Sequence, residues 1–409
     1  MTAPSSVSPR PAPPVSGRAT APMPGGLVAA LRPLDPTAPW IDAWARLGSR
    51  AAIANPFYEA GYALAAAASF GGDLRMMLVA DRPPEEKGAR LLAAWPHRRL
   101  RHRWGLPLPL LMGWTHGYAP QGAPLLDGEN PAAAWTALLA APAALGEPRR
   151  LLLPNAPTAD MMPLLAAAGG RSAAYWPHER GMLDPGDGIR RERETYLDHL
   201  SGNRRRRLRR AWRRLETEGP VSFDMLADAA VIPAAVEAHI ALEAASWKGR
   251  AGTALAQRPA EAAFLRAATA ALATEGRLRI ARLRRGERLL ASLILPLSGR
   301  EAYVLKVAHD ESDPAAAPGV QLVHRLTETV LAGDGIARID SCAPPGFALA
   351  TLFWRERRPI AHLLVEAGRD PLFPVAARLE RGREALARAR LTLRERRGRT
   401  AAPSAEDTA

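Results

Sequence analysis

The stretch LRIARLRRGERLLASLILPL, Leu278 to Leu297, decides how the chain is read. LRIARL (278–283) and RLLASLILPL (288–297) are rich in Leu and Ile, and the turn RRGE separates them, so the pattern predicts a β-hairpin. A similar hairpin lies in the first half: LRMMLVA (74–80), the polar turn DRPPEEKG, and ARLLAAWP (89–96). The segments after the two hairpins also match. LPLLMGW (108–114) leads through a Gly/Pro-rich loop to the helical run AAAWTALLAA (132–141). EAYVLKVA (301–308) leads through HDESDPAAAPG to VQLVHRLTETVLA (320–332). Each helix is followed by a short strand ending in Ala-Pro, RRLLLPNAP (149–157) and ARIDSCAP (337–344), and then by a second helical stretch. Elements in one order, repeated at an offset of roughly 190 residues, predict duplicated α/β (α+β) domains, each a mixed twisted sheet flanked by helices.

The expected organisation is a disordered Pro-rich tail over 1–37 and a first domain over 38–184. A second domain covers 185–370 and carries a basic helical insertion. A charged helix with a frayed end takes up 371–409. The insertion opens with SGNRRRRLRRAWRRL (201–215), in which eight of fifteen residues are arginine. Leu208, Ala211, Trp212 and Leu215 recur at helical spacing, which predicts an amphipathic helix docked by its apolar stripe. Its arginines form either a solvated face or a site for an anionic ligand, because the planar guanidinium fork suits phosphate.

The formal net charge is +14, but of 55 basic residues only Lys87, Lys248 and Lys306 are lysine and the other 52 are arginine. Such a bias weakens basic charge as a sign of nucleic acid and makes each lysine more informative. No zinc-ligand spacing or helix-turn-helix accompanies the basic run, so neither a specific DNA complex nor a metal is expected. The single cysteine, Cys342, excludes an intrachain disulfide. No apolar run is long enough to span a membrane and no signal-peptide core is present, so the expected setting is cytoplasmic.

Pro318-Gly319 opens the helix after HDESDPAAA. Proline suits a first-turn position, glycine lets a ligand approach, and the amides of Gly319, Val320 and Gln321 with the helix dipole predict an anion site. In the first half the matching loop carries Asp127 and Glu129, which would repel a phosphate. An anionic co-substrate is therefore expected in the second half.

Taken in order, SGNRRRRLRRAWRRLE, GPVSFDML, ASWKGRAGT, GRLRIARL, ERLLASLILPL, YVLKVAHD, PGVQLVHRL and RIDSCAP resemble the CelD/BcsL-type acetyltransferases of the GNAT superfamily, akin to the FemAB-like transferases. The resemblance covers most of 40–365. It implies two tandem GNAT-like domains and acyl transfer from acetyl-CoA or another acyl-CoA, without a metal. The acceptor would be an amine or hydroxyl of a small polar molecule or polysaccharide precursor. It places the CoA pyrophosphate at Ala317, Gly319, Val320 and Gln321, and a carbonyl-polarising backbone donor around Val307. Candidate proton acceptors are His309, Asp340 and Glu243; candidate acceptor-binding residues are Trp247, Lys248, Lys306 and Arg204. The Tyr-Lys pair that the family carries shortly before a Trp is missing from Phe347–Trp354. The alternatives are an aminoacyl or peptidyl transferase using tRNA, and a GNAT-fold binding protein without catalysis.

Overall fold

The computed structural model describes residues 18–186, 195–333, 335–343 and 352–400. The strands are β1 (Ala19–Pro22), β2 (Val28–Pro33), β3 (Arg75–Ala80), β4 (Leu91–Leu100), β5 (Leu110–Gly113), β6 (Leu125–Leu126), β7 (Arg150–Pro157), β8 (Ser172–Leu183), β9 (Val221–Leu226), β10 (Leu278–Arg285), β11 (Arg288–Ser298), β12 (Glu301–Tyr303), β13 (Lys306–His309), β14 (Arg338–Asp340) and β15 (Glu356–Glu366). The α-helices are α1 (Ile41–Ser49), α2 (Ala60–Phe70), α3 (Pro131–Ala144), α4 (Thr158–Ala168), α5 (Gly202–Leu215), α6 (Ile232–Ala245), α7 (Trp247–Arg250), α8 (Pro259–Thr274), α9 (Pro318–Ala332) and α10 (Phe373–Thr400).

The fold is mixed α/β, and its strands join into one large sheet in the order β1-β2-β3-β4-β5-β7-β15-β8-β14-β12-β11-β10-β9. The repeat is present in space. β3–β4 and β10–β11 are antiparallel hairpins, and β5 with β7 and β12 with β14 are parallel pairs bridged by α3 and α9. The β10–β11 hairpin closes in two residues. Gly286 takes φ 55° there, the left-handed conformation such a turn demands of its first central residue. The matching Asn155-Ala-Pro and Cys342-Ala-Pro exits share an unusual backbone too, with φ 48° at Asn155 and 49° at Cys342. The halves are joined by exchange: β8, from the first, pairs β14 of the second, and β15, from the second, pairs β7 of the first.

Two expectations change. Residues 18–37 are not tail, because Ala19–Pro22 and Val28–Pro33 pair and extend the sheet from β3. Ala29 to Leu31 are buried, and the Arg32 guanidinium is satisfied by Glu85 and the Ala19 carbonyl. Pro22 ends the edge strand β1, and Pro33 ends β2 beyond the residues that pair with β1, where a missing donor costs nothing. The second change is at β8 and β15, two long strands not foreseen as strands. The remainder of the expected tail, 1–17, and the end at 401–409 lie outside the described residues. So do the second-half helical stretch and most of the run lacking the family lysine, at 344–351.

The core follows the halves. One apolar cluster packs α1–α3 and α8 on the first half of the sheet, and a second packs α5 and α9 on β10–β12. The C-terminal helix docks through Phe373 and Ala376, and its buried Glu380 accepts from Arg103 at 2.8 Å and from Trp104 Nε1 at 2.8 Å. Among the described residues no helix is long and apolar enough to cross a membrane.

Candidate active site

The site forms where the central strand of the second half breaks its register. β12 pairs β11 as Leu297↔Ala302 and Ser298↔Glu301, whereas β13 pairs it as Ile294↔Lys306 through Ala291↔His309. One extra residue is accommodated at Val304–Leu305, where the Leu305 amide donates to the Ile294 carbonyl at 3.0 Å. This is a β-bulge, a device that re-aims a strand beside a site. On the other side, β14 runs parallel to β12 only as far as Tyr303↔Asp340, and β13 continues without it. The Asp310 amide donates to the Leu290 carbonyl at 2.8 Å. By the alternation of antiparallel ladders, the amides of Lys306 and Ala308 then face β11, and the amide of Val307 faces the edge that β14 has left open.

At the end of β13 lies a cleft of about 700 Å³ lined by Ala245 and Arg250, by His309 to Ser312, and by Ala317 to Val320. His309 packs on the start of α9: a Cβ at Gly319 would lie 3.2 Å from His309 Nδ1, so glycine allows the ring its place. Ala317 is held at φ 45°, and no side chain caps the helix. The expectation of three free amides is corrected. Val320 and Gln321 both donate to the Ala317 carbonyl, at 3.0 and 3.1 Å, which leaves Gly319 as the amide without an acceptor among the described residues. In the first half, by contrast, Asn130 caps α3 through the Ala133 amide at 3.0 Å, and Asp127 pairs with Arg50 and Arg90.

A groove of about 400 Å³ adjoins the same turn. Arg204 and Arg207 of α5 line it together with Ala317, Val320 and Gln321. Ser201 caps α5 by accepting from the Arg204 amide at 3.3 Å, and Leu208 and Leu215 bury its apolar stripe. Neither Arg204 nor Arg207 has a carboxylate partner among the described residues. The structure therefore gathers Arg204, His309, Ala317, Gly319, Val320 and Gln321 around one helix start, and Val307 lies on β13 two residues before His309.

A second group forms at the α6–α7 junction. Glu243 is fully buried and accepts from Lys248 Nζ at 2.7 Å, from Lys306 Nζ at 3.3 Å and from the Leu255 amide at 2.9 Å. Lys248 also donates to the Val307 carbonyl at 3.4 Å, which ties this group to the open strand edge. Two of the chain's three lysines thus meet on one carboxylate. Burial pushes the Glu243 carboxyl up, but Lys248, the Leu255 amide and Lys306 outweigh it and hold it below the ordinary range. Burial lowers the Lys306 ammonium against the pull of Glu243. A carboxylate so held is a poor proton acceptor and a good anchor. Glu243→Gln keeps an acceptor but loses the charge, and is expected to cost about 1–2 kcal/mol in urea unfolding. A smaller loss in a Lys306→Met background would confirm the coupling.

The structure does not bring Asp340 to the cleft. It is fully buried, accepts from the Cys342 amide at 2.7 Å and from Arg358 at 3.2 Å, and has Arg180 at 3.9 Å. Burial pushes the neighbouring Cys342 thiol well above its ordinary value, and Asp340 adds to the shift. Trp247 is 54% exposed and so is not a core residue; its amide donates to Glu311 Oε2 at 2.9 Å. Sequence reasoning missed Tyr118, a first-half residue whose ring lies 4.9 Å from Lys306 Nζ and whose hydroxyl donates to Glu261. Nothing in its Gly/Pro-rich loop signals a partner almost 190 residues away. No group of His, Cys, Asp and Glu among the described residues could hold a metal ion.

The bulged central strand, the parallel neighbour it parts from and the open helix start lie together in the second half of the chain. Residues 202–346 match the acetyltransferase (GNAT) domain family. The structure is similar over 83% of its length to 96% of FemX, with a TM-score of 0.50 and 11% identity. It also resembles the C-terminal domain of a putative lysylphosphatidylglycerol synthetase from Agrobacterium fabrum (TM-score 0.48, 14% identity, 80% of this chain and 91% of that one). A tandem GNAT protein from the clavulanic acid biosynthesis pathway gives a TM-score of 0.34 at 14% identity, over 84% of this chain and 99% of that one. At such identities the likeness is one of fold. No curated protein matches the chain.

Proposed function

We propose that the chain transfers an acyl group from acyl-CoA directly to an amine or hydroxyl of a small polar or polysaccharide-precursor acceptor. The observation that carries this reading is the start of α9, with the Gly319 amide that has no acceptor among the described residues, set beside the end of β13 at His309 and flanked by Arg204 and Arg207. These residues fit a phosphate-bearing co-substrate. The amide and the helix dipole favour an anion, and two guanidiniums without carboxylate partners stand next to it. Bound acyl-CoA would supply an activated thioester. The Val307 amide would donate to a carbonyl oxygen at the open edge, where a preorganised donor counts most as negative charge develops. His309, at the end of β13, would take the acceptor's proton. Trp247, Lys248 and Lys306 would position the acceptor. Glu243 holds the two ammoniums, and Asp340 serves the scaffold.

Titration calorimetry with acetyl-CoA and longer acyl-CoAs tests the reading. Saturable binding to the wild type is expected, at least tenfold weaker in R204E/R207E. If no acyl-CoA binds the wild type, the co-substrate assignment is withdrawn.

A second reading is favoured by Arg204, Arg207, Arg209, Arg210 and Arg213, none of which has a carboxylate partner among the described residues. It is a FemAB-like aminoacyl or peptidyl transferase whose arginine helix meets tRNA or a nucleotide-linked precursor. RNA that co-purifies and leaves with a steep salt dependence would favour it.

A further inference from the structure

The arginine helix has a second side. Between α5 and α9, opposite the groove of Arg204 and Arg207, lies a cavity of about 500 Å³, within the range of small-molecule pockets. Leu197, Leu200, Leu208 and the indole of Trp212 line it, and Arg205, Arg209, Arg213 and Arg325 surround them. Leu200 and Leu208 are buried in the surrounding protein, so this apolar wall is fixed rather than a loose surface patch.

The charges around the cavity do not cancel. Asp198 pairs with Arg205 at 3.4 Å, and Glu328 pairs with Arg325 at 2.9 Å. Arg209 and Arg213 have no carboxylate among the described residues. An apolar wall beneath two uncompensated guanidiniums is complementary to a ligand with an apolar body and one anionic end. The aromatic wall narrows the choice of body. The Arg325 guanidinium stands 4.1 Å from the centroid of the Trp212 ring, and Trp212 Nε1 donates to Glu216 at 2.8 Å. One indole face is thus already covered, which disfavours stacking of a nucleobase. The leucines offer contact to an aliphatic chain.

We propose that this cavity binds an amphiphilic anion, an aliphatic chain ending in a phosphate or carboxylate, and that it is separate from the site at the start of α9. The proposal does not rest on the acyl-CoA reading, because none of these leucines and arginines lies at the Gly319 amide. Leu208 and Gln321 line both cavities, so the two are neighbours that share a wall between α5 and α9.

Calorimetry with hexyl, octyl and decyl phosphate, each below its micelle concentration, tests it on the full chain. One decyl phosphate per chain is expected, with affinity falling about fourfold for each methylene removed. R209E/R213E should weaken decyl phosphate at least tenfold. R206E/R210E makes the same change of charge at arginines that line neither cavity, and should leave binding within about twofold. All four positions are exposed, and matching thermal unfolding curves would show that the variants fold. An octanoate titration distinguishes a phosphate end from a carboxylate end. Four results would each overturn the proposal: no saturable binding, affinity independent of chain length, equal losses in the two double variants, or ADP binding as tightly as decyl phosphate. Displacement of decyl phosphate by CoA would also overturn it, since the cavity would then belong to the first site.

Discussion

Arg358→Met is expected to lower the unfolding free energy by about 3–5 kcal/mol, the cost of breaking a buried ion network from one side. Arg358 lies on β15, the exchanged strand. Its guanidinium donates to Asp340 on β14 at 3.2 Å, to Glu301 on β12, and to Asp160 on α4 at 3.1 Å. Burial alone would make the guanidinium easier to deprotonate, but Tyr303, Glu301, Asp340 and Asp160 outweigh it and hold it charged. Glu301 is pushed up by burial and by Asp340 and drawn down by Arg358 and Tyr303, so loss of the arginine leaves the burial penalty opposed by the Tyr303 hydrogen bond alone. Asp340 would keep only the Cys342 amide and Arg180, 3.9 Å away. Methionine fills similar volume without charge, so the loss measures uncompensated carboxylates rather than a cavity. Urea unfolding of the single variant and of R358M/D340N decides the matter. The double variant should recover part of the loss, because neutralising Asp340 removes one stranded charge. A single-variant loss under about 1 kcal/mol would show that the network does not hold the halves together.

Legibility in the sequence follows the range of the interactions. The hairpin at 278–297 and its counterpart at 74–96 are readable because strand, turn and strand are neighbours in sequence. The gathering of His309 and Gly319 is readable because one strand, one loop and one helix carry both. The exchange of β8 and β15 is not. SAAYWPHERGML and ERRPIAHLLVE contain Pro177 and Pro359, which argue against a central strand, and the ladders shift register between Ile360 and His362. Only the assembled sheet shows that these positions tolerate proline. The disorder expected for 18–37 fails for a related reason. Proline content describes a chain alone and says nothing of the β3 edge it adds to. At the site, His309, Glu243 and Lys306 stand out one by one, but the meeting of Lys248 and Lys306 on Glu243 depends on how α6, α7 and β13 pack. The scarcity of lysine beside 52 arginines is the one local signal of it. Asp340 shows the converse, since an acid at a strand end reads as catalytic until Arg358 arrives from another part of the chain.

The unfolding free energy is expected to fall steeply as pH drops from about 6.5 toward 4, because buried neutral histidines must take up protons that the unfolded chain binds freely. His97 and His239 are fully buried. His97 Nδ1 donates to the Trp95 carbonyl at 3.1 Å, and His239 Nδ1 meets Ser292 Oγ at 3.0 Å. In both rings Nε2 has no partner among the described residues. Burial brings each from 6.5 to about 3, and Arg75 near His97 and the two lysines near His239 reinforce it, against the Trp95 carbonyl and Glu243. Burial also lowers His116 and His362 to about 4. A group whose folded pKa is depressed contributes stability that is full above its unfolded pKa and is lost as pH falls through the interval. Each fully buried histidine then gives a slope of up to about 1.4 kcal/mol per pH unit, and the pair removes about 3 kcal/mol between pH 6.5 and 5. That is a large part of the 5–15 kcal/mol typical of a domain. Glu275 and Glu301, which burial raises, oppose the trend near the acid end. Urea unfolding at pH 7.5, 6.5, 5.5 and 4.5 measures the slope. His97→Phe keeps a ring against Trp95 and cannot titrate, so it should flatten the slope by about 1.4 kcal/mol per pH unit. Stability that stays level from pH 7 to 5, or a slope untouched by both His97→Phe and His239→Gln, would mean that these histidines are already protonated in the fold. Each ring would then need an acceptor at Nε2, and the packing around β4 and α6 provides none.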